Sequence, residues 1–139
     1  MTKVVDVRTS QNATEHNQIS IPVTRNTETL FAQIGLNTLT TAGVPRVTMS
    51  GIIALDITRP HTTVTVTIVR GTMETDPVVL RVTTVVNPES HKPFILTFNG
   101  ADFNPPVIPE IVYSVFVTVD RKGVTRVGPE SFFGHLHSD

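Results

Sequence analysis

The feature that most constrains the fold is the alternation of apolar and polar residues in long runs. The clearest long run is 110–120, EIVYSVFVTVD, where one set of alternate positions is entirely apolar and the other is mixed. Alternate side chains of an extended strand point to opposite faces of a sheet, so this run predicts a strand with one buried face. Residues 121–123 and a further apolar run, 124–127, follow. They predict a β-hairpin in which Gly123 supplies a positive φ angle.

The same alternation recurs along the chain and predicts about eight strands. The other runs lie at 18–24, 29–34, 46–58, 62–70, 78–86 and 94–98, of which 29–34 is short enough to be a helical turn instead. In 62–70, threonine alternates with valine and isoleucine, which predicts a threonine ladder facing either water or another subunit. Gly51, inside 46–58, indicates a bulge or a close backbone approach.

The composition favours the same fold class, because valine and threonine together make up roughly three residues in ten. Both are β-branched and prefer strands. Connections of varying length suggest strands that cross between sheets. We therefore predict an all-β fold, a two-sheet antiparallel β-sandwich of jelly-roll type. An immunoglobulin-like sandwich is the alternative, although its usual cysteine and tryptophan residues are missing.

The predicted domain organisation is simple. Residues 1–17 are polar apart from three valines and predict a flexible N-terminal arm, while 18–139 predict a single β-sandwich domain. Residues 99–109, rich in proline, predict an irregular crossing, and 128–139 predict a tail.

Charge and targeting signals exclude several classes of partner. The formal net charge is −1 and the cations are scattered along the chain, so we expect no nucleic-acid binding. The chain has no cysteine, so disulfides and thiolate chemistry are impossible. No apolar run is long enough to predict a signal peptide or a membrane span, and we expect no membrane partner.

The motifs of common enzymes are missing, and we predict that the protein is not an enzyme and binds no cofactor or metal. His135 and His137 would share one strand face and could hold a metal with His61 or Asp139, but a solvated tail explains them more simply. Four carboxylates lie at strand ends or beside the proline-rich segment, where we expect them to be solvated. They are Asp56, Asp102, Glu110 and Asp120.

Six apolar residues are candidates for contact with a partner. Val4, Val5 and Val7 form a β-prone patch in the arm, which could add a strand to the sheet of a neighbour. Phe132 and Phe133 are adjacent, so on a strand they would face opposite ways, one toward the core and the other toward a partner. Phe103 lies in the proline-rich segment as an exposed aromatic candidate.

Three segments resemble exosporium protein C and related small spore-surface proteins of bacilli. They are 2–24 (TKVVDVRTSQNATEHNQISIPVT), 27–38 (TETLFAQIGLNT) and 125–134 (TRVGPESFFG). The resemblance implies a structural protein made without a signal peptide in the mother-cell cytoplasm and assembled on the exosporium. Its partners would be copies of itself and other spore-coat or exosporium proteins. Covalent cross-linking by cysteine, which related appendage subunits use, is impossible here.

Two functions therefore stand as expectations. The first is a self-assembling structural protein of the spore surface, which builds oligomers or filaments through strand edges, sheet faces or exchange of the N-terminal arm. The alternative is a trimeric jelly roll, similar to the tumour-necrosis-factor and C1q folds, that recognises a receptor or glycan through its loops.

Overall fold

The computed structural model describes residues 3–39, 41–89 and 92–138, and these contain nine β-strands and no α-helix. The strands are β1 (Lys3–Ala13), β2 (Ile21–Pro22), β3 (Thr29–Asn37), β4 (Pro45–Ile57), β5 (Thr62–Arg70), β6 (Val78–Val86), β7 (Phe94–Phe103), β8 (Glu110–Val119) and β9 (Val124–Ser138). The all-β prediction is confirmed, and eight strands are long while β2 has only two residues.

The strands form two antiparallel sheets. Sheet A has the order β1-β9-β4-β7, with β2 also paired to β9, and sheet B has the order β3-β8-β5-β6. Most connections cross from one sheet to the other, and this order is that of a double-sheet jelly roll. The predicted two-sheet sandwich is therefore confirmed.

The core lies between the sheets and is formed by the apolar positions of the alternating runs. In β8, Ile111, Tyr113 and Val115 are buried as the period-two pattern predicted. Gly51 makes room for the Phe98 ring, which lies where a Cβ atom would be. Phe98 in turn packs edge-on to Phe31 and stacks on Phe132, with centroid distances of 6.2 and 6.1 Å. The sequence predicted a bulge or a close backbone approach at Gly51, but the strand pairing is regular there and the close neighbour is an aromatic side chain.

Both ends of the described chain differ from the expectation. Residues 3–13 do not form a flexible arm, because β1 pairs along β9 of the same chain from Lys3 to Ala13. Residues 128–138 do not form a tail, because β9 continues through them and pairs with both β1 and β4. Each segment is held by backbone hydrogen bonds to a neighbouring strand, a stabilisation that local sequence does not reveal.

Two further segments are more regular than predicted. The strand β7 continues to Phe103, so the irregular crossing begins only after it. The run at 29–34 is a strand, not a helical turn, and extends to Asn37. The β-hairpin predicted at 110–127 is wrong, because β8 lies in sheet B and β9 in sheet A, so the turn between them crosses from one sheet to the other. The positive φ angle predicted for Gly123 is confirmed, at 80°.

Candidate assembly surfaces

The outer face of sheet A brings together four of the six predicted contact residues. It has three rows, each crossing β1, β9, β4 and β7. The rows are Val4, His137, Arg46 and Phe103; then Val7, His135, Thr48 and Ala101; then Thr9, Phe133, Ser50 and Asn99. We call these twelve residues the A face. Phe103 is 71% exposed, Val4 57% and Phe133 39%, and the set contains no carboxylate.

The other two predicted contact residues are not on the A face. Phe132 is fully buried and stacks on Phe98, while Phe133 points outward, so the opposite orientation predicted for the pair is confirmed. Val5 lies at a bulge of β1 and packs against the core. The Phe132 side chain therefore cannot contact a partner in this conformation, and the Val5 side chain is only partly exposed.

A second apolar surface lies where the edge strands β6 and β7 run side by side. Their inward-pointing side chains Leu80, Val82, Phe94 and Leu96 pack against the core but are only partly buried. Among the described residues no hydrogen bond between side chains joins β6 to β7. We call these four residues, with the free edges of β6 and β7, the open side.

The opposite side of the sandwich is closed. The Asn37 N–H donates to Asp6 Oδ2 at 2.8 Å, and Asn12 Nδ2 donates to the Phe31 carbonyl at 2.7 Å, so β1 is tied to β3 at two points. Burial acts to raise the pKa of Asp6, but the Asn37 N–H and Arg8 outweigh it and lower the pKa overall. β1 also carries two bulges and the charges of Lys3, Asp6 and Arg8, features that discourage pairing with another chain.

The carboxylate Asp102 is buried, so the expectation that it is solvated is wrong. Arg70 donates to it from Nε and Nη2, both at 2.7 Å, and the Tyr113 hydroxyl donates at 2.7 Å. The hydrogen bonds to Asp102 raise the pKa of Arg70. Burial, together with Asp102, raises the pKa of Tyr113 well above its ordinary value. The three side chains clamp β5, β7 and β8 together.

The remaining carboxylates take other positions. Asp120, just beyond β8, accepts a hydrogen bond from the Thr63 N–H at 2.7 Å, and this contact lowers its pKa. Asp102 lies at one end of the sandwich, because it contacts Tyr113 near the start of β8. Asp120 lies at the opposite end, because it follows the end of β8. Asp56 is exposed on sheet A, and the Glu110 side chain lies over Gly35.

A second buried charge cluster was not foreseen. Arg126 and Glu130 are both buried and form a two-point ion pair inside the sandwich. The Asn12 side chain also donates to Glu130, and the Arg126 guanidinium lies 6.0 Å from the centroid of the Phe31 ring. The segment between the two charges breaks the regular pairing of β9 with β4. The four-residue spacing nevertheless keeps Arg126 and Glu130 on the same inward face as Phe132. Charged residues are normally exposed, so the sequence does not predict that this cluster is buried.

The two histidines share a face, as predicted. The His135 and His137 rings stack with centroids 5.9 Å apart, and Phe133 packs on His135 at 5.5 Å. Within the described part of the chain, no three His, Asp or Glu side chains are close enough together to hold a metal ion. Asp139, the other candidate ligand, lies outside the described residues.

Comparison with known proteins adds no relative: no family model and no curated protein matches this chain. Residues 3–39, 41–89 and 92–138 contain no helix of the length and apolar character needed to cross a membrane.

Proposed function

We propose that this protein is a structural building block that associates with copies of itself into oligomers or filaments at the bacterial spore surface. The observation that carries the proposal is the open side, where two free strand edges lie beside partly buried core residues. The contact would be made by β6 or β7 of one subunit and the same strand of another.

The backbone of an edge strand favours this partner. The outward-pointing N–H and C=O groups of β6 and β7 have no strand beside them in the described chain. A second copy related by a two-fold axis presents the same groups in antiparallel orientation, so each copy satisfies the other. Natural edges that resist such pairing are short or carry lysine, proline or bulges. The strands β6 and β7 have nine and ten residues and contain neither lysine nor proline, and β6 has one bulge, at Val79 near its start.

The side chains favour the same partner. Pairing at the open side would cover Leu80, Val82, Phe94 and Leu96, and burial of apolar surface contributes about 25 cal/mol per Å². The two strands contain only two charged residues, Arg81 and Asp102, and Asp102 is already paired with Arg70. Two copies therefore meet with little electrostatic repulsion.

The A face supplies a second, different contact. A subunit with a single two-fold interface can form only a dimer. A subunit with two independent two-fold interfaces can join a neighbour at each of them, so a chain of subunits can grow. Phe103, Phe133, Val4 and Val7 provide an apolar surface for packing sheet on sheet. Assembly through both surfaces gives a filament, and assembly through one gives a dimer.

Charged substitutions test the two contacts separately. Val82→Lys places an ammonium group at the open side, and Phe133→Glu places a carboxylate on the A face. We expect the unaltered protein to form large assemblies, each single variant to stop at a dimer, and the double variant to be a monomer. Light scattering on a sizing column, with negative-stain electron microscopy, measures the outcome.

Thr83→Lys is the matched control, because Thr83 is exposed on the outer face of sheet B beside Val82. This variant should assemble like the unaltered protein, and circular dichroism should show that all variants are folded. A monomeric unaltered protein, or a folded double variant with undiminished assembly, would contradict the proposal.

The spore-surface location rests on the resemblance of segments 2–24, 27–38 and 125–134 to exosporium proteins. Immunogold labelling of sporulating cells that produce the protein tests it. We expect label on the outermost spore layer, and label confined to the vegetative cytoplasm would refute the location without touching the assembly proposal.

The exposure of Phe103 favours a second candidate, the binding module. Its ring is 71% exposed at the end of β7, next to the loop that leads to β8. A uniform trimer that binds specific glycans on an array, with binding lost in Phe103→Ala, would favour this function over assembly.

A further inference from the structure

Four cations from three separate turns line one cleft at an end of the sandwich. Arg25 lies between β2 and β3, Arg59 in the β4–β5 turn, and Arg121 with Lys122 in the β8–β9 turn. The cleft is open, with a volume of about 240 Å³, and no residue other than these four lines it. Its lining is therefore wholly cationic, in a chain whose formal net charge is −1.

Hydrogen bonds hold the three turns together. The Asn26 N–H donates to the Val119 carbonyl at 2.8 Å, which ties the first turn to the end of β8. The Gly123 carbonyl accepts from both the N–H and the hydroxyl of Thr58, at 3.2 and 2.9 Å. A Cβ atom at Gly123 would collide with that hydroxyl, so the close approach of the two turns requires glycine. The backbone hydrogen bonds thus hold together the turns that carry the four cations.

The protein itself neutralises the cations only in part, since Arg121 interacts electrostatically with the neighbouring Asp120 and helps to lower its pKa. Among the described residues, none of the four lies within ion-pair distance of a carboxylate. Two carboxylates belong to the same turns. Asp120 is held by the Thr63 N–H, and Glu28 is half-buried with one oxygen lacking any donor. Like charges that converge repel one another, and a bound anion relieves that repulsion.

We propose that this cleft, which we call the cationic cleft, binds a phosphate-bearing anion of two or more negative charges. Three guanidinium groups offer planar pairs of N–H donors, which match the oxygen geometry of a phosphate, and Lys122 adds a mobile point charge. The ligand is either a free phosphate anion or a phosphate group on a polymer. This proposal does not depend on self-assembly, since the cationic cleft shares no residue with the A face or the open side.

Titration calorimetry with tripolyphosphate, orthophosphate and a synthetic glycerol-phosphate polymer tests the site. We expect saturable binding that weakens as salt is added, because exposed charges are screened. Tripolyphosphate binding tighter than polymer binding would identify a free anion as the ligand, and the reverse order would identify a polymer. Absence of saturable binding by all three probes at low salt would overturn the proposal.

The double variant Arg59→Gln with Arg121→Gln locates the site. We expect about tenfold weaker binding or more, because two charge-assisted contacts are lost. The matched control is Lys3→Gln with Lys92→Gln, which removes the same charge from exposed positions outside the cationic cleft. Equal loss of affinity in both double variants would show attraction to the overall charge and refute the assignment to this cleft. Binding-induced shifts of the arginine side-chain NMR signals, confined to Arg25, Arg59 and Arg121, give a second test.

Discussion

Arg126 and Glu130 place two opposite charges inside the sandwich, where each depends on the other. Removing a charge from water is costly, and only the partner charge and further hydrogen bonds offset that cost. Here two hydrogen bonds between Arg126 and Glu130 offset the cost of burying the charges. The hydrogen bond from Asn12 to Glu130 and the contact of Arg126 with the Phe31 ring add to them. The pair fixes the geometry of β9 where its regular pairing is interrupted.

Substitution of Arg126 alone tests this dependence. Arg126→Met leaves Glu130 buried without its counter-charge, and we expect the free energy of unfolding to fall by about 3–5 kcal/mol. The double variant Arg126→Met with Glu130→Leu leaves no buried charge and should be more stable than the single variant. Urea denaturation followed by circular dichroism measures both. A loss below about 1 kcal/mol in the single variant would contradict this account.

Asp120 makes stability depend on pH in a predictable direction. The Thr63 N–H lowers the pKa of Asp120 in the folded protein, whereas the unfolded chain has the ordinary value of about 3.9. The stabilisation is therefore fully present above the unfolded pKa and is lost as pH falls through the folded pKa. We expect Asp120→Asn to lose less stability than the unaltered protein between about pH 5 and pH 2. Urea denaturation across this range measures the difference, with the exposed Asp56→Asn as control. Parallel curves for the unaltered protein and Asp120→Asn would be the contrary result.

Among the strands, β1 departs most from its local sequence. Its outward side chains are valine, threonine and glutamine, and two bulges interrupt the alternation, so the segment resembles a mobile terminus. Pairing with β9 and the hydrogen bonds to β3 make it an edge strand. Exchange of this segment between subunits would require breaking those contacts first.

A designed disulfide distinguishes pairing within one chain from exchange. Val7 and His135 are direct cross-strand partners, and such residues lie close enough in an antiparallel sheet to be joined. Because the chain has no cysteine, Val7→Cys with His135→Cys introduces only these two thiols. We expect oxidation to give a cross-linked monomer on a non-reducing gel. A covalent dimer, at protein concentrations too low for random collision, would show that β1 is exchanged.

Gly51 on β4 controls the packing of the aromatic cluster. A methyl group there would displace the Phe98 ring, which contacts both Phe31 and Phe132. We expect Gly51→Ala to lower the free energy of unfolding by about 1–3 kcal/mol, the usual cost of overpacking. Gly100→Ala on the adjacent strand β7 is the control, because its nearest neighbour would be 3.3 Å away at the end of a flexible Ile68 side chain. Thermal denaturation compares the two, and equal stabilities would refute the packing argument.

At the scale of the whole molecule, the sequence predicts local features such as the buried face of a strand. It does not predict features formed by residues that are far apart in the sequence. The buried faces of β5 and β8 follow from period-two alternation, which needs no knowledge of the partner strand. The length of β9 does not follow from the sequence, because Gly128 and Pro129 normally end a strand. Here they lie in the irregularity between Arg126 and Glu130, and β9 continues beyond it.

The candidate surfaces divide in the same way. The outward orientation of Phe133 could be predicted from its neighbour Phe132. The open side and the cationic cleft could not, because each depends on which turns and edges the jelly roll brings together. Arg25, Arg59 and Arg121 appear scattered along the sequence and meet only in the fold.

The strand β9 runs from one end of the sandwich to the other. It begins at the turn that carries Arg121 and Lys122, and after fifteen residues it ends at Ser138, the cross-strand partner of Lys3. At about 3.3 Å per residue, the cationic cleft and this pair are separated by nearly the full length of the sandwich. A subunit anchored to an anionic material by its cationic end would point Lys3 and Ser138 together away from that material. Cargo proteins joined near either residue would then be displayed on the same outward-facing side of a coated surface.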